Sequence, residues 1–263
     1  MRLNDLKLHV DEKGKNDFFE KYEMYSLIRK IDEPKKEEES DAKIIDKISK
    51  DLLKDAMIYF VSDEFSYYQR KLYGACFANE AGQEYIPFED LLKDKEALAY
   101  LASDDKKTFF DLKAVKHALD NHDIHLGNNN DDIYLMCFLS NNYNADLKSI
   151  LMNYGFGEIK ENKELFGTEK KPLEPSKQDL GQYAAKVASS LYKIMARVRK
   201  ELEEKEMEDL YGKIELPLVY VLYDMEKQGV YCDVNELDEI ASHTKAKIDE
   251  LEERIYRLVG HEF

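Results

Sequence analysis

The sequence is poor in the features that build disulfide-linked, zinc-binding and membrane-spanning proteins. Its three cysteines, Cys76, Cys137 and Cys232, stand far apart and form no C-x-x-C pair, which excludes a disulfide framework and a thiolate zinc site. No stretch approaches the roughly 18 uninterrupted apolar residues of a membrane span. The N-terminus also lacks the cationic region and apolar run of a secretory signal. These absences predict a protein of the reducing cytoplasm without a membrane contact.

Positive charge is also scarce. The 263 residues include 39 Lys and Arg against 55 Asp and Glu, which gives a formal net charge of −16. A field of this sign repels phosphate at long range and argues against a free-standing nucleic-acid binder. The densest basic cluster lies on this acidic background. We therefore interpret it as a solvated helix face with ion pairs rather than as a DNA-binding surface. The members of that cluster, kept as nucleic-acid candidates, are Lys193, Arg197, Arg199 and Lys200.

The sequence does contain enough apolar material for one large domain or two small ones, since 43% of its residues are hydrophobic. Hydrophobic spacing predicts an α/β fold whose sheet begins with an antiparallel meander of three strands joined by a turn at Gly82. The predicted elements are a helix at 17–31, a charged linker at 32–41, a helical face over 44–53, strands at 56–61, 72–78 and 84–88, a helix at 89–102, a strand at 107–111, a helix at 113–121, a polar turn at 127–132 and a helix at 132–140.

The later part of the sequence is typical of long amphipathic helices. Ser176 is a favourable N-cap for the first of them. Pro217 and Gly229 have the positions expected in the first turn and just after the end of a second helix. A third helix opens near Asp233 or Asn235, and its apolar stripe runs to the last residues. Because that stripe stops without a capping structure, we expect the chain to be part of a longer protein.

Motifs near the C-terminus resemble a known family. They are E-x-P-L at Glu215–Leu218, M-E-x-x-G-V at Met225–Val230, Asp233, and I-Y-x-L-x-G-x-x-F at Ile255–Phe263. This stretch resembles the start of the polymerase domain in bacterial family A DNA polymerases of the polymerase I type. The resemblance implies that residues 1–41 follow a 5′ nuclease domain, that 42–206 form a 3′–5′ exonuclease-like domain, and that 207–263 begin the polymerase domain.

The exonuclease chemistry of that family needs four carboxylates that hold two divalent metals. By the resemblance, the first two belong to a D-x-E on the first strand and fall on Tyr59 and Val61. The third falls on Val115, and the fourth falls on Val187, one turn beyond the motif tyrosine Tyr183. All four positions are apolar or aromatic. The resemblance therefore implies a degenerate exonuclease domain that is kept as a scaffold, with valines filling a former metal cleft.

Other acidic residues leave a replacement metal site as an alternative, because hard cations favour oxygen ligands. Acidic side chains are equally suited to helix caps and polar turns, and we favour those structural roles. The residues concerned are Asp63, Asp111, Asp131 and Asp132.

Three histidines cluster at His117, His122 and His125. No cysteine or acid stands at zinc-finger spacing from them, so we expect them at the surface or in turns. Tyr220 and Asp224 repeat the Y-x-x-x-D spacing of the exonuclease motif. They lie in the predicted polymerase-start helix, and we interpret them as a chance match.

We therefore expect an α/β ribonuclease H-like fold with a mixed sheet, followed by the first helices of a polymerase domain. The function that the resemblance implies is template-directed DNA synthesis in replication and repair, with magnesium as the cofactor of the complete polymerase. For the present chain we expect no catalysis and no cofactor of its own. We expect it to contact the polymerase domain and to reach DNA only through that domain, which lies outside this chain. We expect the protein in the bacterial cytoplasm at the nucleoid. Two alternatives stay open: an active metal-dependent 3′–5′ exonuclease with relocated ligands, and an acidic protein-interaction module.

Overall fold

A computed structural model of the chain describes residues 42–140, 146–156 and 159–262, together with Gly14 and Phe18. The predicted helix at 17–31, apart from Phe18, and the predicted linker at 32–41 lie outside the described residues. The chain divides into two compact units, one ending at Tyr223 and the other beginning at Asp224. Among the helices of the described part, none combines the length and the apolar character needed to cross a bilayer.

The first unit is built on a mixed sheet whose strands lie in the order β3-β2-β1-β4-β5. The meander β1-β2-β3 is antiparallel, whereas β4 pairs parallel with β1 and β5 pairs parallel with β4. The predicted α/β fold with an antiparallel start is thereby confirmed. The strands are β1 (Ala56–Ser62), β2 (Leu72–Asn79), β3 (Gly82–Pro87), β4 (Lys107–Phe109) and β5 (Asn130–Asp132), with a separate pair β6 (Gly167–Thr168) and β7 (Lys171–Pro172).

The turn between β2 and β3 depends on the two residues that flank it. Gly82 has a φ of 128°, a backbone conformation that glycine adopts without steric cost. Asn79 accepts a hydrogen bond from the Ala81 amide at 2.8 Å and donates to the carbonyls of Asp51 and Lys54. The turn is therefore fixed both locally and to the segment that precedes β1.

The helices confirm the capping signals that the sequence carries. Ser176 accepts a hydrogen bond from the Asp179 amide at the start of the longest helix, and Asp233 caps the last helix through the amides of Asn235 and Glu236. The helices are α1 (Phe88–Leu91), α2 (Lys95–Ala102), α3 (Leu112–Asp120), α4 (Ile133–Ser140), α5 (Leu147–Asn153), α6 (Asn162–Phe166), α7 (Lys177–Glu204), α8 (Glu208–Leu210), α9 (Leu216–Gln228) and α10 (Val234–Val259), with a π-helical stretch at Tyr211–Glu215.

Two helix predictions and part of one turn prediction were wrong. Residues 130–132 of the predicted polar turn at 127–132 form strand β5, because they pair with β4. The predicted helical face over 44–53 contains only one 3₁₀ turn, because the Ile45 amide donates to the Tyr85 carbonyl at 3.0 Å and Ile44 bridges to β3. The predicted single helix at 89–102 is broken into α1 and α2. The cause is Asp94, whose carboxylate caps α2 through the Ala97 amide at 3.1 Å and also accepts from the Ile48 amide at 2.8 Å.

Helices cover both faces of the sheet. Along β1, Ile58 and Phe60 point to one face, where they pack with apolar residues of α2 and α3. The alternate residues Met57, Tyr59 and Val61 point to the opposite face, which α7 covers. This alternation follows from the two-residue period of a strand, and it places the predicted exonuclease positions of β1 against α7.

Candidate exonuclease-like site

Two of the predicted metal-ligand positions lie in the dry interior. Val61 is 1% exposed and packs with Cys76 and Ala184 between β1, β2 and α7. Val187 is fully buried in α7 and packs with Met57. These two valines fill the space between the sheet and α7 with hydrocarbon, which offers a metal ion no ligand atom.

The other positions border a cavity. Tyr59, Val115 and Tyr183 line a space of about 390 Å³ at the end of β1, next to the start of α3. The structure thus brings the β1 tyrosine, the α3 valine and the α7 tyrosine of the predicted site to one cavity. Val61 and Val187 belong to the packed core beside it. The predicted site is therefore filled on one side and open on the other.

The two tyrosines contact each other. The Tyr59 and Tyr183 hydroxyls share a hydrogen bond of 3.2 Å, and the rings meet edge to face with centroids 6.1 Å apart. Burial raises the pKa of both hydroxyls, and for Tyr59 the neighbouring Tyr183 raises the pKa further. Both groups stay protonated near neutral pH. At these positions the cavity wall therefore carries neutral hydroxyls, where metal-dependent exonuclease chemistry needs anionic oxygens.

Two charged groups of the cavity wall, Asp111 and Arg70, are engaged with the protein itself. Asp111 caps α3 by accepting from the Ala114 amide at 3.2 Å, and its other oxygen lies 3.8 Å from the Arg70 guanidinium. The Arg70 guanidinium also lies over the Tyr67 ring, 5.2 Å from its centroid. Its Nε is buried without a hydrogen-bond partner among the described residues. Arg70 is a charged cavity residue that the sequence analysis did not single out, since an isolated arginine in a loop carries no local signal.

The remaining acids of the alternative metal site accept structural hydrogen bonds from backbone amides. Asp63 accepts from the Lys71 amide at 3.2 Å and closes the loop between β1 and β2. Asp132 accepts from the Leu112 amide at 2.8 Å and the Tyr134 amide at 2.9 Å. Burial raises its pKa to about 7. No group of three or more His, Cys, Asp or Glu side chains in the described ranges is arranged to hold a metal ion.

Asp131 lies at the edge of the sheet among cations. Burial alone would raise its pKa, but the Arg199 guanidinium, the Lys106 ammonium at 3.2 Å and a hydrogen bond from Tyr211 outweigh that effect and lower it. The carboxylate is therefore charged and paired. Asp131 belongs to a structural ion-pair cluster at this edge.

The basic cluster of α7 is paired in the same way. Arg197 binds Glu201 at 2.9 Å, Lys200 lies 3.4 Å from Glu204, and Arg199 binds Asp131. Lys193 lies over the Phe156 ring, 5.8 Å from its centroid. These contacts support an ion-paired helix face. Whether the cluster contacts nucleic acid stays a prediction.

His117 is the histidine whose predicted environment was wrong. It is buried in α3, and its ring meets those of Tyr68 at 5.1 Å and Tyr223 at 4.7 Å between centroids. His122 and His125 are exposed, as expected. The burial of His117 depends on tyrosines from the β1–β2 loop and from α9, so no local pattern around His117 could show it.

The strand order and the site at the end of β1 define a ribonuclease H-like exonuclease domain. A sequence model described as "DNA polymerase I, ribonuclease H-like domain" matches residues 58–194, more than half of the chain. The chain therefore belongs to this DNA polymerase I family, as the C-terminal motifs predicted. This finding excludes an acidic interaction module unrelated to polymerases.

Curated relatives agree with this assignment. The chain is 26% identical to DNA polymerase I of Bacillus subtilis over 249 residues, which cover 90% of this chain and 28% of that protein. It is 27% identical to DNA polymerase I of Geobacillus stearothermophilus over 228 residues, 85% of this chain and 26% of that protein. The chain thus spans less than a third of the length of these relatives.

A solved structure shows the same fold. The polymerase domain of Pol1 from M. smegmatis, in complex with a DNA primer-template and dNTP, superposes with a TM-score of 0.58 at 18% identity. The match covers 78% of this chain and 34% of that one. At this identity the likeness establishes the fold and leaves the activity of this chain to be tested.

Proposed function

We propose that the exonuclease-like domain of this DNA polymerase I-type protein has lost 3′–5′ exonuclease activity and serves as a scaffold for the polymerase domain. The observation that carries the proposal is the chemistry of the four ligand positions. Val61, Val115 and Val187 have no ligand atom, and Tyr59 offers a hydroxyl whose pKa is raised by burial and by Tyr183. Proofreading by hydrolysis would need carboxylates at these places.

The residues present do not fit the pair of divalent metals that the family implies. Two dications bind where anionic oxygens replace part of their hydration shell. Of the acids considered for a replacement site, Asp111 lines the cavity, caps α3 and pairs with Arg70, whereas Asp63 lies outside the lining and accepts a hydrogen bond within the β1–β2 loop. A metal would have to break these hydrogen bonds to recruit the carboxylates.

The test is release of nucleotides from the 3′ end of single-stranded DNA by the 263-residue chain, with magnesium and then with manganese. We expect no release above a buffer blank. The variants Asp63→Ala and Asp111→Ala serve as matched controls. Release that either substitution abolishes would contradict the proposal and establish a nuclease with relocated ligands.

The activity of the complete protein is part of the same proposal. The family assignment supports template-directed DNA synthesis in replication and repair. In this proposal the polymerase domain binds magnesium, and DNA binds to parts of the protein outside the present chain. The family assignment also supports a place in the bacterial cytoplasm at the nucleoid. The role of the present domain is then to position the polymerase segments that follow it in sequence, without a cofactor of its own. A primer-extension assay on the complete protein, with and without residues 42–206, tests that role.

A further inference from the structure

Strand β5 is an edge strand of the five-stranded sheet, and side chains from far along the sequence cover its free edge. β4 pairs with it on one side only. A free edge exposes unpaired backbone groups and needs cover. The segment 211–223, which contains the π-helical stretch and the first half of α9, supplies this cover.

Tyr211 provides the first contact. Its hydroxyl donates to Asp131 Oδ1 at 3.0 Å and accepts from the Asp132 amide at 2.9 Å. A tyrosine hydroxyl has one proton to donate and oxygen lone pairs to accept with, so both functions are in use. The ring is 7% exposed. One side chain thus satisfies both a carboxylate and a backbone amide of the edge strand.

Tyr220 repeats the pattern at the other end of the strand. Its hydroxyl donates to the Asn128 carbonyl at 3.3 Å and accepts from Asn130 Nδ2 at 3.1 Å. Asn130 is 4% exposed, and its Oδ1 has no hydrogen-bond partner among the described residues. An unsatisfied buried acceptor carries a cost, so we expect the Tyr220 end to be the weaker of the two.

The π-helical stretch Tyr211–Glu215 allows both tyrosines to reach the strand. In a regular α-helix, residues nine positions apart are separated by about two and a half turns and point to opposite sides. A π-helical stretch forms i→i+5 hydrogen bonds, and this changes the angle around the helix axis between residues before and after it. The local helix geometry and the two hydroxyl contacts are therefore linked.

Apolar contacts complete the docking of this segment. Val219 lies in the core with residues of α2 and α3. Tyr223 is 7% exposed, its ring packs against His117, and Lys116 Nζ lies 4.5 Å from its centroid. The first half of α9 is therefore packed as part of the exonuclease-like unit.

We propose that Tyr211 and Tyr220, with residues 128–132, form a clamp that holds segment 211–223 on the exonuclease-like domain, so that removing a clamp hydroxyl loosens this segment while the domain stays folded. The proposal rests on the proposed scaffold function, because the segment follows residues 42–206 in sequence and packs on them. The clamp residues are positioning residues, and they carry no chemistry.

Hydrogen exchange followed by mass spectrometry on the 263-residue chain tests the clamp. In Tyr211→Phe we expect exchange to accelerate at least tenfold in peptides covering 208–223 and 130–132. Peptides of β1 and α7 should keep their wild-type rates within twofold. Tyr231→Phe makes the same change at a ring that is 91% exposed, and it should match wild type throughout.

Equal acceleration in all peptides of Tyr211→Phe, or none at 208–223, would overturn the clamp. If Tyr211→Phe does not fold, Tyr220→Phe decides in its place: local acceleration of at least threefold supports the clamp, and unchanged or uniform exchange overturns it. Exonuclease activity in the chain would contradict the proposed function and leave these exchange rates unaffected, so the two failures are distinguishable.

Discussion

Replacing Val187 by aspartate tests whether this predicted ligand position lies in a dry core. Val187 is fully buried in α7 against Met57. The substitution removes the burial of a valine side chain, worth about 1.5–3 kcal/mol. It also buries a carboxyl group without a partner, which costs roughly 2–7 kcal/mol. We expect Val187→Asp to lower the free energy of unfolding by about 3.5 kcal/mol or more, a large part of the roughly 5–15 kcal/mol of a typical domain.

Val115→Asp is the matched control. Val115 lines the cavity of about 390 Å³, so a new carboxylate there has room for water and lies in the same cavity as Arg70. We expect it to cost about 1.5–3 kcal/mol, since little beyond valine burial is lost. The prediction is therefore that the same change, valine to aspartate, lowers the free energy of unfolding more at position 187 than at position 115.

Urea unfolding followed by circular dichroism in metal-free buffer at pH 7 measures both variants. A buried aspartate has a raised pKa in the folded state, so the native variant binds more protons than the unfolded chain at pH values between the two pKa values. The deficit of Val187→Asp should therefore shrink as the pH falls toward about 4. Equal costs for the two variants, or an unchanged Val187→Asp, would refute the dry-core argument.

Restoring family acids together at Tyr59, Val61, Val115 and Val187 should lower the melting temperature without metal, and magnesium should recover part of the loss. Gly74→Ala should destabilise, because its Cβ would clash with the Tyr85 side chain and the Ile86 carbonyl, whereas the Cβ of Gly212→Ala meets nothing within 4 Å and should be tolerated. Asp131→Asn should cost stability above about pH 4, and the deficit should vanish as the pH falls through the lowered pKa of Asp131. Calorimetry with manganese should be silent; saturable micromolar binding abolished by Asp111→Ala would contradict this. DNA affinity should stay weaker than about 1 µM at physiological salt and fall steeply as salt rises; tighter binding would show that the domain handles DNA itself.

The features that the sequence predicted well depend on neighbouring residues. Ser176 and Asp233 cap their helices through amides two or three positions away. Gly82 turns the hairpin by its own φ. The alternation along β1 follows from the geometry of one strand. The absence of acids at the four exonuclease positions is likewise a property of the sequence, once the family is recognised.

The features that only the tertiary structure decided depend on distant partners. The polar strand Asn130–Asp132 has no apolar signal, and it is buried because Tyr211 and Tyr220, some 80 to 90 positions away, satisfy its side chains and an amide. The segment around Ile44 pairs with β3 because the backbone of Tyr85 offers it an edge. Val61 and Val115 are the same residue type in the same predicted site, yet one is packed in a dry core and the other borders a cavity. Their different surroundings come from how α7 and α3 lie on the sheet, which no local pattern encodes.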